Sequence, residues 1–113
     1  MEKDLRLRKN IDFQAVFKKG TSSWNRQFTL IIKKNNLSKS RIGFTITKKY
    51  GTAVERNKLK RRLREIIRNN KQILFKGYDI VLIPKASTKD MSYQELESSV
   101  KHIFNFTRKK LKQ

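Results

Sequence analysis

Apolar residues recur along this chain with two different periods. In Phe28 to Lys33, Phe28, Leu30 and Ile32 share one face and Thr29 and Ile31 the other, which predicts a strand. Arg41 to Thr47 alternates strictly, with Ile42, Phe44 and Ile46 inward and Arg41, Gly43, Thr45 and Thr47 outward. The polar stretch Asn35 to Ser40 separates the two, so a hairpin is the simplest connection. Tyr78 to Ile83 is an apolar run apart from Asp79, the mark of a central strand buried on both sides. Elsewhere the period is helical. Asn10 is a candidate cap for a helix over Ile11 to Lys19, and Gly20 is its natural stop. A longer helix is predicted from about Ala53 to Asn70, where Leu59, Leu63, Ile66 and Ile67 fall on one face. Thr52 with Glu55 forms a capping box at its start. Ser92 begins a last helix, with Tyr93, Leu96, Val100, Ile103, Phe104 and Leu111 as its buried stripe.

The order helix, strand, strand, helix, strand, helix predicts an α+β two-layer sandwich, in which long helices cover a small mixed sheet. The strands flanking the long helix are candidates for a parallel pair. At 113 residues, with no repeat and no Pro/Gly linker, one domain over residues 1–113 is expected. The chain has no Cys, which excludes a disulfide scaffold and thiolate chemistry. It has no apolar run of membrane-spanning length and no secretory stretch at its start, so a cytoplasmic protein without a membrane partner is expected.

Charge changes the picture most. Lys and Arg number 29 against 9 Asp and Glu, a formal net charge of +20. An excess of this size repels itself and points to a polyanionic partner, nucleic acid before an anionic membrane. It is also concentrated. Arg41 to Arg68 holds 10 basic and two acidic residues, whereas Asp79 to Glu97 holds four acidic and two basic ones. Within the long helix, Asn57, Lys60, Arg61, Arg64 and Arg68 fall in an arc of roughly 100°, opposite the leucine and isoleucine face. A rigid comb of this kind suits phosphates, through the planar fork of Arg and the mobile charge of Lys. Base reading in a DNA groove fits less well, because only Arg56 and Asn57 lie at the helix start. Backbone recognition of structured RNA fits better.

Phe13 and Phe17 are neighbours one turn apart on the first helix. They suit core packing, or a groove where single-stranded bases stack, with Lys18, Lys19, Lys48 and Lys49 as the nearby cations. Catalytic groups are scarce. His102 is the only His, and no metalloprotease, nucleophile-elbow or phosphate-loop motif occurs. No carboxylate cluster suggests a two-metal nuclease. Neither catalytic nor metal-ligating residues are assigned to the polypeptide.

The run Ala53-Val54-Glu55-Arg56-Asn57-Lys58-Leu59-Lys60-Arg61-Arg62-Leu63-Arg64-Glu65 resembles the signature of the bacterial ribonuclease P protein family. So do Arg6-Leu7-Arg8-Lys9-Asn10 with Asp12-Phe13 and Val16-Phe17-Lys18-Lys19-Gly20, then Asn25-Arg26-Gln27-Phe28, and then Arg41-Ile42-Gly43-Phe44 ending in Lys48-Lys49. These stretches occur in the family's order and cover essentially the whole chain. The resemblance implies a left-handed strand–helix–strand crossover, an exception to the usual hand. It implies a subunit whose catalytic RNA partner removes the 5′ leader of precursor tRNA with Mg²⁺ held at the RNA, and no obligate protein partner. It places Arg56, Asn57, Lys58, Lys60, Arg61 and Arg64 against that RNA. It places Phe13 and Phe17, with Lys48 and Lys49 nearby, in a cleft for the leader. This chain has Lys58 where relatives usually have Arg, and Ile31 at a strand position that is often aromatic in them. Two rival classes share the basic face: a structural RNA-binding protein of the ribosomal kind, and an autonomous nuclease.

Overall fold

In the computed structural model, which describes residues 5–111, the chain runs α1 (Asn10–Lys19), β1 (Thr21–Trp24), β2 (Phe28–Lys34), β3 (Arg41–Phe44), α2 (Ala53–Asn69), β4 (Tyr78–Pro84) and α3 (Tyr93–Leu111). The sheet order is β1-β2-β4-β3. β4 pairs antiparallel with β2 and parallel with β3, and β1 pairs antiparallel with β2. The fold is the α+β sandwich expected, with a mixed sheet and the long helices α2 and α3 on one face.

The expected hairpin between β2 and β3 does not form, because β4 lies between them. Burial explains this. Ile80 and Leu82 join the core under α2 and α3, while Val81 and Ile83 point to the other face, under α1. A strand that is apolar on both sides loses that burial at a sheet edge, so it takes the centre. The Asn35–Ser40 turn instead leads to the outer position, and β3 returns to β4 through the long helix. β3 also ends at Phe44 rather than Thr47.

β1 has no counterpart among the predicted elements. Thr21-Ser22-Ser23-Trp24 shows no apolar alternation, since this edge strand buries Ser23 alone. The start of α1 differs as well. Asn10 is its first residue, and the cap position, Lys9, makes no side-chain hydrogen bond. Gly20 ends the helix in extended, not left-handed, conformation. Its requirement is space: a Cβ there would lie 2.6 Å from Ile31 Cγ2 and 2.9 Å from Ile32 O, where the helix end sits on β2. Leu111 is exposed and adds nothing to the α3 stripe.

The core under α2 and α3 centres on Phe28, Leu30, Ile42, Leu63, Ile66, Ile80, Leu82, Ile103 and Phe104. Full burial of each is worth about 1.5–3 kcal/mol against exposure. A smaller cluster of Leu7, Val16, Ile31 and Val81, with Phe13 and Ile83, holds α1 to the opposite face.

Candidate nucleic-acid interface

α2 starts where the sequence places it. The Glu55 amide donates to Thr52 Oγ1 at 3.1 Å, and the Thr52 amide donates to Glu55 Oε1 at 2.9 Å. This reciprocal cap holds the first turn, and Leu59, Leu63, Ile66 and Ile67 anchor the helix on the core. The opposite arc stands free: Asn57, Arg61 and Arg68 are exposed. Lys60 and Arg64, at the border of the arc, are half-buried and lean into a cleft. Lys58, though exposed, turns the other way. With Arg62 it borders a separate hollow of about 130 Å³ beside Tyr50 and Lys89.

The cleft of about 300 Å³ is lined by Arg6 and Arg8 from the N-terminal segment, Lys60 and Arg64 from α2, Phe13 from α1 and Phe44 from β3. Two backbone contacts bring the N-terminal segment there: Arg6 forms a parallel bridge with Ile42, and the Leu7 amide donates to Ile42 O at 2.9 Å. The cleft wraps the β3 edge, so it joins the basic helix on one face of the sheet to the α1 side on the other. No carboxylate among the described residues lines it. Among the described residues, the buried side-chain polar atoms without a hydrogen-bond partner are the Nε atoms of Arg6, Arg56 and Arg64. A buried donor left unpaired costs about 1–3 kcal/mol. Burial, and then repulsion from Arg6, hold the Arg64 guanidinium below its ordinary pKa. It stays charged near neutral pH all the same. Two adjacent guanidiniums with spare donors make a receptor for an anion, and phosphate oxygens fit their fork geometry.

Phe13 also lines this cleft, half-buried, with its ring directly over Gly43. Phe17 lies one turn further along α1 and is 45% exposed, which removes it from the core. Lys48 and Lys49 are exposed in a short 3-10 turn between β3 and α2, and neither lines the cleft with Phe13. The N-terminal half of α1 is held by an ionic frame. Arg41 donates to Asp79 through Nε at 2.8 Å and Nη2 at 2.7 Å, and its Nη1 lies 3.5 Å from Asp12 Oδ2. The Asp79 hydrogen bond raises Arg41 above its ordinary pKa.

The sequence assigns Arg6 and Arg8 no site role beyond their place in the family-like stretch Arg6 to Asn10, because they stand apart from the basic helix in the chain. The alternation Arg6-Leu7-Arg8 is their one local mark, and it fits Leu7 buried beneath α1 with both Arg side chains turned away.

The family model for ribonuclease P matches residues 1–108. This chain belongs to the ribonuclease P family. The ribonuclease P protein component of Finegoldia magna is 48% identical over 103 residues, spanning 91% of this chain and 90% of that protein. That of Streptococcus pneumoniae is 37% identical over 108 residues, spanning 96% and 88%. An RNase P protein mutant from Staphylococcus aureus superposes with a TM-score of 0.88 at 38% identity, covering 96% of this chain and 92% of that one. The RNase P protein of Thermotoga maritima gives a TM-score of 0.82 at 37% identity, covering 88% and 94%.

In this ribonuclease P family member several carboxylates are committed to the fold. Asp79 is engaged by Arg41 and Asn35, Glu55 and Glu95 close capping boxes, and Glu97 accepts from Asn70. The described residues contain no group of three or more candidate ligands. His102 lies on the exposed side of α3, its ring stacked on Phe106 with centroids 6.3 Å apart. No described helix is long and apolar enough to cross a membrane.

Proposed function

We propose that this chain is the protein subunit of ribonuclease P, a cytoplasmic ribonucleoprotein that removes the 5′ leader of precursor tRNA. The catalytic RNA cleaves the bond with Mg²⁺ that it holds itself, and the polypeptide binds and positions. The basic face of α2, chiefly Asn57, Lys60, Arg61, Arg64 and Arg68 with Arg56 at its flank, meets phosphates of that RNA. The leader lies along the α1 side, where Phe13 and Phe17 offer rings and Lys48 and Lys49 supply charge further along. Only precursor tRNA carries this segment, so contact with it favours substrate over product.

The observation that carries this reading is the pair of buried guanidinium Nε atoms without acceptors, those of Arg6 and Arg64, in one cleft beside the basic helix. Phosphate supplies the missing acceptors at this site, whereas a merely solvated helix face would pair its cations with carboxylates.

The test is reconstitution. Cleavage of precursor tRNA should require the catalytic RNA and be enhanced by the protein. Cleavage by the protein alone would establish an autonomous nuclease. Binding to RNA without any enhancement would establish a structural role. If about six phosphates are contacted, log K for the catalytic RNA should fall against log salt with a slope of about −4 to −5. Neutralising Lys60, Arg61 and Arg64 together should flatten that slope, and an unchanged slope would refute the phosphate comb.

A further inference from the structure

Trp24 is the only Trp of the chain and lies 65% exposed on the edge strand β1. The sheet register fixes which face it occupies. Trp24 pairs with Thr29, and Thr29 with Ile83. Directly paired residues project to the same side, so these three form one row across β1, β2 and β4. The row is on the α1 side, like the neighbouring row Ser22, Ile31, Val81 and Gly43. α1 covers that neighbouring row with Val16 and Phe13, whereas Thr29 and Ile83 are only half-buried.

Helix geometry then decides which flank of α1 faces the Trp24 row. At about 100° per residue, Asp12 falls to one side of the buried Val16, and Phe13 and Phe17 to the other. Asp12 reaches Arg41, whose row also contains Asp79 and Lys33. Phe13 and Phe17 therefore flank the opposite row, that of Trp24, Thr29 and Ile83. The packing agrees, since Phe13 and Ile83 border the same small cluster. The result is an open trough floored by Thr29 and Ile83, with two Phe rings along one wall and an indole at its far end. From the strand under Phe13 to that of Trp24 is three strand spacings, about 14 Å.

Nothing in the fold needs a large ring at this edge position. Trp24 stacks on no other ring among the described residues, and its neighbour Arg26 is exposed. Lys85 Nζ donates to the carbonyl of the next residue, Asn25, at 2.8 Å. An unpacked indole with the Lys85 ammonium held at the next residue suits a single-stranded base and its phosphate.

We infer that Trp24 stacks one base of the tRNA leader at the end of the trough remote from Gly43, and so extends leader recognition beyond Phe13 and Phe17. The inference rests on the leader-binding reading above.

The test uses the reconstituted holoenzyme with mature tRNA and with precursor tRNAs carrying a long or a trimmed leader. Trp24→Ala should lower the preference for the long-leader precursor by about 5- to 140-fold, the range expected for one lost base stack. The trimmed precursor should lose little, and Trp24→Phe should restore part of the effect. In the unsubstituted protein, the emission of the lone Trp should be quenched by the long-leader precursor and not by mature tRNA. If Phe13→Ala lowers the preference and Trp24→Ala does not, this inference fails and leader binding stands. If neither variant lowers it, leader binding itself fails. An emission change that follows protein concentration without RNA would overturn the inference in favour of a second copy docked on the β1 edge.

Discussion

Gly43→Ala tests how the sheet presents Phe13. A methyl at this position would lie 2.7 Å from Phe13 Cε1 and 3.2 Å from Leu7 Cβ. Relaxed carbon contacts lie at about 3.5–4.0 Å, so the ring must retreat by roughly 1 Å. Overpacking of this kind costs about 1–3 kcal/mol. Removing the backbone freedom of Gly returns about 0.5–1 kcal/mol, which leaves a net loss of about 0.5–2 kcal/mol. In a Phe13→Ala background the clash with the ring is gone. The same substitution should then be neutral or slightly stabilising, limited by Leu7. The two changes should therefore couple by about 1–3 kcal/mol. Urea unfolding of the four proteins in the cycle measures this. Gly43→Ala alone should also lower the preference of the holoenzyme for precursor over mature tRNA, although residue 43 presents no side chain to RNA. A coupling below about 0.5 kcal/mol, the level of independent sites, would refute the seating of Phe13 on Gly43.

Two further outcomes are expected. Arg64→Met should raise the stability of the free protein by about 1 kcal/mol, because it removes an unpaired buried donor and the repulsion from Arg6, while weakening association with the catalytic RNA. A less stable variant in urea unfolding would show that Arg64 serves the fold instead. Acid stability should report the capping boxes. The Thr52 and Ser92 amides, and then their hydroxyls, hold the Glu55 and Glu95 carboxyls below the ordinary range. A depressed folded pKa adds stability that is fully present above the unfolded value of about 4.3 and is lost as pH falls through the folded value. The double variant Glu55→Ala, Glu95→Ala should thus lose less stability than the parent on going from pH 6 to pH 3. Parallel pH curves for the two proteins would sink this assignment.

Most of the helical architecture is legible locally. The capping box at Thr52 and Glu55, the buried stripe of α2 and the central place of Tyr78 to Ile83 each depend on residues a few positions apart, and the structure has all three. β1 was not legible, because an edge strand that buries a single Ser needs no apolar rhythm. The basic face was legible as an arc, but its division was not. Lys60 and Arg64 turn into a cleft, while Lys58 borders a different hollow.

What the sequence by itself determined was therefore the identity of the long elements, the sign of the charge and the helix that concentrates it. Period and capping are properties of one segment and its own contact with water. Tertiary structure alone decided that β4 separates β2 from β3, that Arg6 stands beside Arg64, and that Phe13 sits on Gly43. Those relations depend on which surfaces of distant segments bury one another, and a strand's pattern states how many faces it must cover without naming what covers them.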